Sequence, residues 1–384
     1  MASLLESVLN QVLQAQATEQ LAAEPYERTE ARQGYRNGTY PHQLTTRVGT
    51  LTLRVPRLRN GKFSTELFAR YQRSEQALVL ALMEMVVNGV STRKVAQITE
   101  QLCGVEFSKS TVSELCKRLD PIVTAWNGRT LRDSRFPIVV VDALVLKVRE
   151  EGRVRSRGVM LAYGVNTDGY REILGLMLGD SESEASWSEF FSWLKSRDLR
   201  GVDVIVSDHH GGLVKAIRQH FQGVTWQRCQ THFMRNILDA TPKSLQEELY
   251  PRVRAVLDAP DIDTARLLLH QTLQTYDTKA PKAMNILESG FDDATAVLML
   301  PERYRKRLRT TNGMERLNEE IRRRERVIRI FPNRESVVRL IGALLMEVDE
   351  KWASGKRYLD MTEYLEWKQC QQEAKKVSKV TPIR

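Results

Sequence analysis

From Pro137 to about Ala240 the apolar residues follow an order that few folds accept: three strand-like runs, a helical repeat, a strand, a helix, a strand and a helix. Ile138 to Val141 is an unbroken β-branched run ending in Asp142, the pattern of a buried strand with a carboxylate at its end. Gly158–Val165 and Glu172–Leu178 supply two more strands, joined across an Asp168-Gly169 hairpin turn. The stretch from Glu184 to Arg197 sets Trp187, Phe190, Phe191 and Leu194 at helical spacing, and Val202–Val206 is a fourth strand leading to Asp208. A helix from Gly212 to Phe221 and a fifth strand over Val224–Gln227 follow, and CQTHFMRNIL opens the next helix.

That order is the order of a ribonuclease-H-like sheet, so the fold class expected is α/β. The first part of this core occupies residues 136–240. Residues 241–301 carry only helical patterns, as an α-helical insertion would, and residues 302–353 return to the core. Residues 354–384 form a basic C-terminal tail, polar from Lys368 onward and expected to be disordered when free.

Three segments precede the core. Residues 1–33 place Leu4, Leu5, Val8, Leu9, Val12 and Leu13 at helical spacing, predicting an oligomerisation helix that packs on a partner or another subunit. Residues 34–72 alternate Val48, Leu51, Leu53 and Val55 with Arg47, Arg54, Arg57 and Arg59 between Asn37-Gly38 and Asn60-Gly61 turn signals. This is a basic β-ribbon with Tyr35 and Tyr40 nearby, suited to a phosphate backbone or simply to an exposed hairpin.

Residues 73–135 read as a helix-turn-helix. Ser91 or Thr92 caps a helix bearing Val95, Ile98 and Leu102, Gly104 turns the chain, and Ser108 or Ser110 caps a second helix with Val112, Leu115 and Leu119 inward. Arg93, Lys94, Lys109, Ser110, Thr111, Ser113 and Lys117 are then placed to face DNA, although plain helix pairs share this punctuation.

Charge points the same way. Lys and Arg number 58 against 48 Asp and Glu, a net charge of +10, and Pro301–Ile330 alone holds eleven basic residues against five Glu. The four cysteines have no paired spacing, which argues against a disulfide framework or zinc ribbon and fits a reducing cytosol. Glu6 and Glu19 are foreign to a signal peptide, and no apolar run is long enough to span a bilayer.

Hydrolysing or transferring a phosphodiester calls for carboxylates that hold two divalent ions about 3.5–4 Å apart. Oxygen donors suit Mg2+ or Mn2+. Asp142 and Asp208 converge if their strands are neighbours, though strand-end acids also serve as turn and capping residues. Glu315 is the third candidate. A cap at Asn312 would make it the third residue of a capping box, whereas its shared helical face with Asn318 and Arg322 suits a phosphate chain. Arg322, Arg323 and Arg324 in sequence favour a polyanion.

Cys229 and His232 have C-x-x-H spacing at a strand-to-helix junction, half of a zinc site at most, since no second pair matches. They are read instead, with His210 and Asn318, as residues that orient the acids; His209 and His210 could equally touch phosphate or cap the next helix. Trp187 falls at core spacing, with stacking on an unpaired base as its alternative role.

These stretches together resemble a known family. RYQRSEQALVLALMEMVVNGVSTRKV, VVVDALVLKVRE, VIVSDHHGGLVKAI, WQRCQTHFMRNI and TTNGMERLNEEIRRRERVIRIFPN, in this order from Gly34 to Trp352, are similar to bacterial insertion-sequence transposases of the Mutator type. The resemblance implies an Asp-Asp-Glu triad at Asp142, Asp208 and Glu315, a C-x-x-H signature at Cys229 and His232, and a helical insertion before the Glu. His209 departs from the small residue expected there. Further implications are terminal inverted repeats as binding sites, 3′-end cleavage by water, joining of the 3′ hydroxyl to target DNA, a homodimer or higher oligomer on double-stranded DNA, and a bacterial cytoplasmic, nucleoid-associated location. A ribonuclease-H-like nuclease that cleaves without joining, or a non-catalytic DNA-binding descendant of a transposase, stays open beside this reading.

Overall fold

A computed structural model describes residues 2–59, 63–68, 74–104 and 107–380 of the chain, which divides into two compact units, Met1–Arg118 and Leu119–Arg384. The Asn60-Gly61 turn expected from the sequence lies outside the described residues.

The first unit opens with helix α1 (Ala2–Leu21), followed by the antiparallel pair β1 (Arg36–Thr46) and β2 (Gly49–Leu58). One face of this ribbon carries Leu44, Leu51, Leu53 and Val55, and α1 covers it with Leu13, so the helix spends one side on its own chain and leaves Leu4 and Val8 outward. Asn37-Gly38 is not a turn. Gly38, at φ +73°, sits in a register shift within β1, and the hairpin reverses at Arg47-Val48 instead.

Three mutually packed helices follow: α2 (Gln76–Val87), α3 (Thr92–Cys103) and α4 (Lys109–Cys116). Ser91 and Ser108 cap α3 and α4 by accepting from the backbone N–H of Lys94 and Thr111, and Gly104 ends α3 at φ +65°. Val95, Thr99, Val112 and Cys116 form their buried side. Leu102 is 74% exposed, whereas Thr99 is buried and its hydroxyl bonds back to the Val95 carbonyl; of the residues expected inward on α4 and just beyond it, Val112 is buried and Leu115 and Leu119 are half-buried.

The second unit begins with α5 (Asp120–Asn127), within the stretch assigned by sequence to the helix-turn-helix region. Its sheet has the order β5-β4-β3-β6-β7. Strands β3 (Ile138–Glu150), β4 (Arg153–Val165) and β5 (Arg171–Gly179) are antiparallel, while β6 (Val204–Ser207) and β7 (Thr225–Arg228) run parallel to β3. Asp142 therefore lies inside β3 rather than at its end. Pairing with β6 stops at Val140, but the hairpin with β4 carries β3 on to Glu150.

Helices α6 (Glu184–Ser196) and α7 (Gly211–His220) cover one face, where Trp187, Phe190, Phe191 and Leu194 meet Val139, Val141, Leu213 and Ile217. Trp187 is fully buried against Phe190 and Phe191, so base stacking by this residue is excluded in this arrangement.

After α8 (Gln230–Asp239), helices α9 (Lys243–Leu257), α10 (Ile262–Tyr276) and α11 (Pro281–Thr295) contain no strand and share a core of their own. Leu249, Val253, Leu269, Tyr276 and Leu287 pack there against Phe233 and Ile237 of α8. The chain returns through α12 (Glu302–Leu308) to α13 (Asn312–Ile328) beside β3, and α14 (Arg334–Ala353) packs on β5 and α5.

The C-terminal segment departs from expectation: it forms helix α15 (Thr362–Val380). Leu359, Met361 and Tyr364 are buried, the Tyr364 hydroxyl lies 3.2 Å from Asp203, and Lys368 is ion-paired to the same carboxylate at 2.6 Å. A few apolar anchors and one salt bridge hold a stretch whose overall composition is polar.

Candidate active site

Asp142 from β3 projects where β6 has ended, and Asp208 follows β6 directly. Asp142 Oδ1 accepts the Ala143 N–H at 2.8 Å and its Oδ2 accepts Asn318 Nδ2 at 2.6 Å. Asn318 stands one helical turn beyond Glu315 on α13, so this bond ties the helix carrying the third acid to the strand carrying the first.

His232, in the first turn of α8, lies between the other two acids. Its Nδ1 is 2.5 Å from Asp208 Oδ1 and its Nε2 is 3.8 Å from Glu315 Oε1. Neither Nδ1 nor Asp208 Oδ1 completes an aligned hydrogen bond, so the close contact is held by charge more than by direction. Cys229, fully buried at the start of α8, receives both the backbone N–H and the hydroxyl of Thr311 at its sulphur, at 3.4 and 3.3 Å.

The electrostatics follow from this packing. Burial, then the negative charge of Asp208, pushes the Asp142 carboxyl up to about 6. Contact with Asp208, then with the Cys229 sulphur, raises His232 to about 10, so it is a cation at neutral pH. Burial pushes the Cys229 thiol up, but the contacts from His232 and Thr311 together outweigh it and hold the thiol below its ordinary value.

Glu315 is not a capping-box residue. Thr311 occupies the cap position of α13 and gives its hydroxyl to Cys229, which leaves the Glu315 side chain directed to His232. Asp208, Cys229 and His232 bring one donor atom each within 4.8 Å of one another, a three-donor group whose histidine is engaged as a cation.

A transposase family of the Mutator type matches residues 1–355, the N-terminal helix included. The chain belongs to the Mutator family of transposases. Among its relatives are the transposase for insertion sequence element IS256 in transposon Tn4001 of Staphylococcus aureus, 46% identical over 93% of this chain and 92% of the relative. The transposase for ISRM5 of Rhizobium meliloti is 45% identical over 95% and 91%, and that for IS406 of Burkholderia multivorans is 40% identical over 93% and 92%.

In this Mutator-family chain the other selected residues divide. Arg93, Lys94, Lys109, Ser110, Thr111 and Lys117 are exposed on α3 and on α4 and its C-terminal end, with Lys117 paired to Glu114. Arg322 and Arg323 are exposed on α13, near Glu325 and Glu320 respectively. Arg324 is not: it is 4% exposed and bonded to the Glu320 carbonyl and carboxylate, on the same buried face as Met314, Leu317 and Ile321. His210 caps α7 with its backbone and sets Nδ1 3.6 Å from Glu182 Oε1. Glu182, between β5 and α6, was not selected from the sequence. It is one of three alternating acids at 180, 182 and 184, and nothing local distinguishes it. Among the described residues no helix is long and apolar enough to cross a membrane.

Proposed function

We propose that this chain is a DNA transposase that binds the terminal inverted repeats of an insertion sequence, hydrolyses the element's 3′ ends and joins the resulting 3′ hydroxyls to target DNA. On this reading the β3–β7 sheet is a ribonuclease-H-like core and Asp142, Asp208 and Glu315 are the catalytic triad. The α3–α4 pair serves as a helix-turn-helix, and at least two copies act together because two element ends must be held at once. The observation that carries the proposal is the convergence of three acids from β3, the end of β6 and α13, cross-linked through Asn318 and His232. It occurs in a chain whose relatives are insertion-sequence transposases.

The donor set suits Mg2+ or Mn2+. Three carboxylates supply the oxygen donors such ions prefer, and the crowding of Asp142 by Asp208 is the repulsion that a divalent cation relieves. Asp142, Asp208 and Glu315 would hold two such ions, which when bound supply activation of the nucleophile and stabilisation of the leaving 3′ oxygen. The protein's own part is positional. Asn318 fixes the Asp142 carboxylate, and cationic His232 keeps Asp208 and Glu315 close although both are negative. Cys229 anchors the start of the helix that delivers Glu315.

A strand-transfer assay tests this, joining a pre-cleaved element end to plasmid DNA with Mg2+. Asp142→Asn, Asp208→Asn and Glu315→Gln should each abolish joining while DNA binding persists. Cleavage without joining by the native chain would favour a nuclease, and binding with neither reaction a non-catalytic protein.

A further inference from the structure

Three nitrogen donors stand against acids around this site: Asn318 against Asp142, His232 against Asp208, and His210 against a carboxylate outside the triad, Glu182. Glu182 comes from the loop between β5 and α6, and glycines fix the path of that loop. A Cβ on Gly158 of β4 would lie 3.2 Å from the Ser181 carbonyl carbon and 3.3 Å from the Glu182 nitrogen, and one on Gly212 of α7 would lie 2.6 Å from the Glu184 nitrogen. The loop is thus pressed between the strand next to Asp142 and the helix that follows Asp208, which carries Glu182 to the same end of the sheet. His210 Nδ1 faces Glu182 at 3.6 Å without completing a hydrogen bond, and the Trp187 side chain is the hydrogen-bonding neighbour that Glu182 meets from α6.

We propose that Glu182 is a fourth carboxylate of the site and supplies an oxygen to the divalent ions alongside Asp142, Asp208 and Glu315. Two ions that each prefer about six oxygen neighbours outrun three carboxylates, and a fourth rigidly placed one lowers the number of water or substrate oxygens required. Burial raises the Glu182 carboxyl, the neighbouring His210 and Trp187 lower it and Asp208 adds a smaller repulsion, while Glu182 in turn adds the smallest of the repulsions on Asp142. The proposal rests on the reading of Asp142, Asp208 and Glu315 as metal-holding residues.

The test is Mn2+ binding to the full-length, DNA-free protein, followed by calorimetry and by the electron paramagnetic resonance signal of free Mn2+. Native protein is compared with Glu182→Gln, Asp142→Asn and, as a charge control, Glu184→Gln, an exposed neighbour paired to Lys215. Thermal melting without metal establishes that each variant is folded, and Glu182→Asp replaces Glu182→Gln if the latter is not. The expected result is Mn2+ binding weakened on the order of tenfold or more by Glu182→Gln, lost in Asp142→Asn and unaltered in Glu184→Gln. Native affinity in Glu182→Gln with loss in Asp142→Asn overturns this proposal and leaves the triad standing. Equal weakening by Glu184→Gln reduces the effect to loop charge and also overturns it. Native affinity in Asp142→Asn overturns the triad reading, and this proposal with it.

Discussion

Thr311 gives both of its donors, the backbone N–H and the side-chain hydroxyl, to the sulphur of Cys229. These residues begin two different helices, α13 and α8, that carry Glu315 and His232 respectively, so one sulphur sets where both side chains start. Thr311→Val removes the hydroxyl bond and keeps the shape. The expected loss of stability is about 1 kcal/mol by urea denaturation, with a larger proportional loss of strand transfer than of DNA binding. Equal losses in the two assays would mean that the contact serves the fold and not the placement of Glu315.

Asp142 should destabilise the metal-free protein. Its folded carboxyl titrates near 6, above its ordinary 3.8, so the fold binds the proton better than the unfolded chain does and stability falls as pH rises from about 4 to about 6. Asp142→Asn removes this cost and retains an oxygen for Asn318. It should stabilise the metal-free chain by about 2–3 kcal/mol at pH 7 and by little at pH 4. Saturating Mg2+ should raise the Tm of the native chain and leave the variant nearly unmoved, both read by calorimetry.

His232 carries the opposite sign of charge. Its folded value near 10 exceeds the ordinary 6.5, so its contribution is complete below about pH 6.5 and is lost as pH rises through 10. His232→Gln should therefore cost on the order of 2 kcal/mol at pH 6.5, after allowance for its partial exposure, and much less at pH 10. A stability difference that does not change with pH would show that the ring acts through packing instead of charge.

Tyr364 tests the C-terminal helix. It is fully buried, meets Tyr304 edge-on and reaches Asp203, so Tyr364→Ala should cost about 3–5 kcal/mol in a denaturation experiment. A cost below about 1 kcal/mol would mean that α15 does not contribute to the stability of the second unit.

Much of this was legible because burial leaves periodic marks. The β-branched run before Asp142, the aromatic spacing of α6 and the strand-free stretch of the insertion each predicted the element observed. Other features had a signal that a local reading passed over. Beyond Asp142 the alternation of Leu144, Leu146 and Val148 with Val145, Lys147 and Arg149 carries the strand onward, and Arg324 falls in register with Met314, Leu317 and Ile321. Leu102 shares helical spacing with Val95 and Ile98 yet is exposed, because spacing does not show that a neighbour is there to cover it. The pairing of His210 with Glu182 had no local signal at all, since it depends on two loops that meet only when the sheet is assembled.

Helix α8 has two sides with different employment. His232 looks toward Asp208 and Glu315, while Phe233 and Ile237 are built into the core that α9, α10 and α11 share. The core of the insertion and the placement of the histidine thus share one helix. A substitution that disturbs the packing of Phe233 or Ile237 therefore acts on the same helix that sets the reach of one imidazole to two acids.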